Sequence, residues 1–192
     1  MIEDILIGGG LGGALAAAAA NILTTFIDRG AGSEAWLKGP YGPPFFNVAL
    51  FMGLLYGGIA LALTRRRQET AIGALGPFLG ILLPMLILTR ATASLPWVPV
   101  VIAVFVAAVW GTIFALGWRM AGRRWLGGVA AVAGAFLGYL LLQGLAKVFP
   151  VLSAWHPHSY LPTPAVMLDG ALTGAGIGLG ISLLRRSHAS NA

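Results

Sequence analysis

The sequence predicts an all-α, polytopic membrane protein with six transmembrane helices arranged as three consecutive hairpins. Three observations carry that expectation. Hydrophobic residues make up 58% of the 192-residue chain and charged residues only 9%, too little polar surface to cover a soluble globule. The apolar residues fall into runs of membrane-crossing length, since about 20 of them span the hydrocarbon core. Arginine closes every second run: Arg65, Arg66 and Arg67, then Arg119, Arg123 and Arg124, then Arg185 and Arg186. Lys and Arg collect on the untranslocated side, so these turns belong in the cytoplasm.

The first segment runs from Ile5 to Ile27. Its alanine run offers A-x-A patterns to a signal peptidase, but Glu3 and Asp4 stand where a signal peptide carries base, so the segment is expected to remain. The second, Phe45 to Thr64, follows Pro40, Pro43 and Pro44 and stops at the arginine triplet. The third, Ala71 to Thr89, contains Pro77 and Pro84. Each removes one helical hydrogen bond, predicting a bend that either neighbours absorb or a cavity uses. The fourth covers Pro99 to Trp118, the fifth Trp125 to Phe149 and the sixth Ala165 to Leu184. Residues 1–186 therefore read as one transmembrane domain and 187–192 as a short cytoplasmic tail. With an even number of spans both termini face the cytoplasm, in a bacterial inner or plasma membrane. The loops Asp28 to Pro44, Arg90 to Val98 and Pro150 to Pro164 face outward. Proline before each even segment and arginine after it make the hairpin a weak threefold repeat, though such punctuation belongs to any hairpin membrane protein.

Small residues four apart let helix backbones approach in lipid, where association rests on packing. Gly8 and Gly12, Gly76 and Gly80, Gly134 and Gly138, and Gly170, Gly174 and Gly178 mark such faces on the first, third, fifth and sixth segments. They suit internal packing better than a homo-oligomer. The bulkier second and fourth segments, with Phe45, Phe46, Phe51, Phe105, Trp110 and Phe114, are expected at the lipid- or partner-facing perimeter.

Several chemistries are excluded. The net charge of +6 sits in short turns rather than on a basic face, which argues against nucleic acid. Gly8, Gly10 and Gly13 fit G-x-G-x-x-G, but no strand can precede residue 8 and the stretch lies within the bilayer. Cysteine is absent, so thiol chemistry and disulfides are out. No histidine lies within a span to hold haem, and no cofactor is expected. Ser182 lies near the inner face while His156 and His158 lie near the outer, so no serine–histidine pair can form. His156 and His158 are weak metal candidates, because two histidines make an incomplete ligand set.

The remaining polar residues share an expected depth toward the outside: Asn21, Thr24, Thr25, Asn47, Gln143, Lys147, Asp169 and Thr173. Ionisable groups in lipid are costly and normally pair or face a water-filled cavity, so Asp169 and Lys147 are expected to approach one another. Two functions fit. One is a non-enzymatic transport-type or solute-binding protein with an outward polar pocket for a small solute. The other is a structural or accessory subunit of a larger membrane complex, where the same polar residues are structural and the partner is another membrane protein. An enzyme acting on lipid headgroups is a third reading, which lacks a nucleophile and base. The size and topology resemble those of the substrate-binding membrane components of vitamin and metal uptake systems. That resemblance carries no motif and no binding residues.

Overall fold

The computed structural model describes residues 6–30, 44–91, 97–122, 124–149 and 164–189. The described chain is helical and contains no strand. A π-helical turn, Leu6–Leu11, leads into α1, Gly12–Gly30; then follow α2, Pro44–Thr64, α3, Arg67–Ala91, α4, Trp97–Met120, α5, Trp125–Val148, and α6, Pro164–Ala189. Five stretches are long and apolar enough to cross a membrane: Ile7–Ile27, Phe46–Thr64, Ile102–Met120, Trp125–Val148 and Pro164–Leu183. The chain is thus built as a multi-pass membrane protein. Helix α3 is the one outside that set among the described residues. It begins four residues earlier than its apolar run, taking Arg67, Gln68 and Glu69 into its first turn. At the other end of the chain, α6 continues past the expected boundary to Ala189.

The helices form a closed ring. Each packs on its neighbours in sequence, and α6 packs back on α1. Every neighbouring pair runs antiparallel, as the glycine contacts show. Gly9 of the π-helical turn meets Gly174 of α6, Gly13 of α1 meets Gly170 of α6, and Gly12 of α1 meets Ala62 of α2. Gly53 meets Ala74 and Phe78 between α2 and α3; Gly76 meets Thr112 and Gly80 meets Ala108 between α3 and α4. Gly117 meets Gly127 between α4 and α5, and Gly134 meets Gly176 between α5 and α6. At these points the backbones touch. A Cβ at Gly9 would lie 2.5 Å from the Gly174 carbonyl oxygen, which no real side chain tolerates, so the close approach requires glycine.

Across the ring, α2, α4 and α6 touch one another pairwise. Their buried residues dominate the centre: Leu55, Tyr56 and Ile59, Val109 and Ile113, and Val166, Ile177 and Ile181. This corrects the expectation that the second and fourth helices form the perimeter. Bulk there fills the middle of the ring together with α6, whereas α1, α3 and α5 pack around these three helices. The widest exposed apolar face belongs instead to α5, through Phe136, Leu137, Tyr139, Leu140 and Leu141.

Two tight turns at the arginine-bearing end have a residue in the left-handed region, Arg65 at φ 54° and Gly122 at φ 69°. Only Arg65 and Arg66 separate α2 from α3. The Arg65 amide donates to the Leu61 carbonyl at 2.8 Å and the Arg66 amide to Thr64 Oγ1 at 3.1 Å, closing off α2 before α3 starts. Both prolines lie within a continuous α3. Each has glycine four residues earlier, Gly73 and Gly80, where the proline ring crowds the carbonyl and a residue without Cβ yields most easily. Pro77 is fully buried and Pro84 half-buried.

Candidate functional site

On α6, Val166, Asp169, Thr173 and Ile177 recur at three- and four-residue spacing, which puts them on one helical face. Val166 and Ile177 belong to the central core together with Tyr56 of α2. The carboxylate of Asp169 accordingly sits on the stripe that α6 turns toward the middle of the ring. The Thr173 hydroxyl, one turn on, donates a hydrogen bond to it, and Tyr56 lies within electrostatic reach across the α2–α6 contact. Asp169 is half-buried, while Thr173 and Tyr56 are buried.

Lys147 does not complete this group. It is exposed on α5, as is Gln143, and the one ion pair among the described residues joins Arg119 to Glu69. The expected Asp169–Lys147 approach is corrected on that ground. A lysine near a helix end extends its amine toward the interface, and no cation neutralises Asp169 among the described residues.

The α1 residues form a separate polar stretch. Asn21, Thr24 and Thr25 are buried, but both threonine hydroxyls are spent within their own helix. Thr24 donates to the Ala20 carbonyl at 2.8 Å and Thr25 to the Asn21 carbonyl at 2.7 Å. Thr112 and Ser182 likewise bond to Ala108 and Leu179 of their own helices, at 2.7 and 2.8 Å. Such back-bonding satisfies a hydroxyl in an apolar setting without a ligand. Asn47 is half-buried near the start of α2. Asp169 and Thr173 thus share the inward stripe of α6, while the Thr24 and Thr25 hydroxyls bond within α1.

Of the packing glycines, Gly8, Gly12, Gly76, Gly80, Gly134, Gly138, Gly170 and Gly174 all face neighbouring helices of the same chain. Gly178 is buried. His156 and His158 lie outside the described residues, among which no group of three or more His, Cys, Asp or Glu could hold a metal.

Two features escaped the sequence reading. Tyr56 was hidden as one more aromatic in an apolar run. At the arginine-bearing end, Arg119 of α4 donates from Nη2 to Gln68 Oε1 at 2.8 Å and lies 3.7 Å from Glu69 Oε1 on α3. Glu69 is buried, and Arg119 Nε is a buried donor with no partner. The signal was available in Gln68 and Glu69 directly after three arginines, polar residues heading an apolar helix. No family model matches the chain, and no curated protein or solved structure matches it significantly.

Proposed function

We propose that this chain is a transport-type membrane protein for a small solute. In this reading all six helices cross the membrane as three consecutive hairpins, with the arginine turns and both termini in the cytoplasm. The membrane is a bacterial inner or plasma membrane. The observation that carries the reading is Asp169, an acid on the inward stripe of a membrane-spanning helix with no cation beside it among the described residues. An uncompensated carboxylate is costly in lipid and persists where it serves a substrate or ion path. The backbone-to-backbone glycine seam between α1 and α6 provides smooth surfaces along which helices can shift.

The test is thermal unfolding of the protein in mild detergent against a panel of amino acids, vitamins and divalent metal salts. A ligand at a hundredfold excess over its dissociation constant stabilises by about 2.7 kcal/mol, which the melting temperature registers. A solute that stabilises the wild type and not Asp169→Asn supports transport. A second reading, an accessory subunit, draws on the hydroxyls satisfied within their own helices. Co-purification of a stoichiometric membrane partner with no solute response would favour it.

A further inference from the structure

We infer that the arginine-bearing end of the α4–α5 pair, flanked by the α2–α3 turn, is a binding surface for an anionic phospholipid of the bilayer. The inference goes beyond the transport reading and does not depend on it; it needs only that this end meets a membrane surface. Two neighbouring antiparallel helices carry the same order of side chains. Along α4, Phe114 and Trp118 are exposed one turn apart and Arg119 follows Trp118. Along α5, Arg124 and Trp125 are exposed at the start and Val129 is exposed one turn on. Apolar side chain, indole and guanidinium in that order match acyl chain, interface and phosphate. Indole rings settle at headgroup level, and the guanidinium presents a planar fork to phosphate oxygens.

Direct contacts hold these elements side by side. Gly127 of α5 packs against the Gly117 carbonyl and the Ala121 methyl group of α4, which sets the first turn of α5 beside the last turn of α4. On the other side of α4, Arg119 donates from Nη2 to Gln68 Oε1 at 2.8 Å and lies 3.7 Å from Glu69 Oε1. That contact draws the first turn of α3, and Arg67 with it, against α4. Arg119 is therefore the tie between the two turns, while Arg65, Arg66, Arg67 and Arg124 are exposed. Glu69 is buried and engaged by Arg119. Arg65, Arg66, Arg67, Arg119 and Arg124 outnumber Glu69 together with Glu3 and Asp4, the acids that precede the first helix, so the cationic excess at this end survives them. Clustered arginine at a membrane surface attracts anionic headgroups. A free phosphate or an acidic protein would engage the arginines but not the indoles and apolar side chains that continue toward the hydrocarbon.

The test adds equimolar phosphatidylglycerol and phosphatidylcholine with the same acyl chains to the purified protein in mild detergent and counts retained lipids by native mass spectrometry. Phosphatidylglycerol should be retained over phosphatidylcholine by about tenfold or more, and Arg67→Gln and Arg124→Gln should each cut that preference about fivefold, the worth of one arginine near an anionic surface. Trp118→Ala and Trp125→Ala should lower retention of both lipids and leave their ratio unchanged. Lys147→Gln, exposed near the other end of α5, should change neither quantity. Equal retention of the two lipids, or a preference that survives both arginine substitutions, overturns the inference. So does a ratio that falls with the tryptophans and not with the arginines. Displacement of phosphatidylglycerol by millimolar inorganic phosphate identifies a free-anion site and overturns it as well. A solute response in the unfolding panel without lipid preference would remove this surface and leave the transport reading standing.

Discussion

Gly13 of α1 and Gly170 of α6 meet backbone to backbone, so closely that neither position has room for a methyl group. Asp169 is the residue next to this crossing. The same seam that closes the ring thereby fixes where the carboxylate enters the core, and the packing and the site cannot be perturbed independently along α6.

Replacing Gly170 with Val should therefore destabilise the fold by about 1–3 kcal/mol or more, the cost of overpacking a filled interface. The melting temperature in detergent should drop by several degrees. Gly144 has open space around it and lies exposed on α5. Gly144→Ala should leave stability unchanged or raise it by up to about 1 kcal/mol, because alanine is the better helix former. Equal losses at both positions would show that the α1–α6 seam is not close-packed.

The Arg119–Glu69 contact joins the ends of α3 and α4 at the arginine-bearing end. Glu69 is nearly sealed and Arg119 about a quarter exposed, so its worth lies between that of a surface pair and a buried one. A double-mutant cycle with Arg119→Ala and Glu69→Gln should give a coupling of about 1–2 kcal/mol. Arg119→Lys should recover little of it, because an ammonium lacks the planar fork that reaches Gln68 and Glu69 together. Zero coupling in chemical denaturation would make the contact incidental.

Lys147 and Asp169 provide the opposite case. With no ion pair between them among the described residues and Lys147 exposed, Lys147→Ala and Asp169→Asn should be additive within about 0.5 kcal/mol. A larger coupling in thermal unfolding would restore the pairing that the sequence suggested.

How far the sequence could be read follows from which physics set each feature. Run length and arginine placement report solvent preference residue by residue, so helices such as Trp125–Val148 were legible at once. Glycine spacing marked the contact faces for the same reason, since Gly9, Gly13, Gly170 and Gly174 sit where only a missing Cβ permits approach. The placement of whole helices was not legible. Bulk in Phe51, Phe105 and Trp110 suggested a perimeter, but they pack against the central core, because a ring of six needs large side chains to fill its middle. Depth alone also could not show that Thr24 and Thr25 bond to their own helix while Thr173 serves Asp169. That distinction depends on the rotation of each helix about its axis.

The absence of cysteine makes the crossing number directly measurable, and α3 is the decisive helix because its polar first turn and two prolines leave it outside the apolar set. If α3 spans, its two ends lie on opposite sides of the bilayer. Single-cysteine variants Arg66→Cys, just before α3, and Ala91→Cys, at its end, should then react with a membrane-impermeant maleimide from opposite faces of intact cells and inverted vesicles. Arg124→Cys, at the start of α5, should report the same face as Arg66→Cys, because α3 and α4 would form a complete return crossing. Should Arg66 and Ala91 label from one side, α3 would be a re-entrant or surface helix. The orientation of α4 to α6 would reverse, and Arg124 would be carried to the face that its charge disfavours. The arginine distribution therefore argues for the crossing independently of how apolar α3 is, and the labelling pattern at Arg124 separates the two arrangements even if one of the other variants expresses poorly.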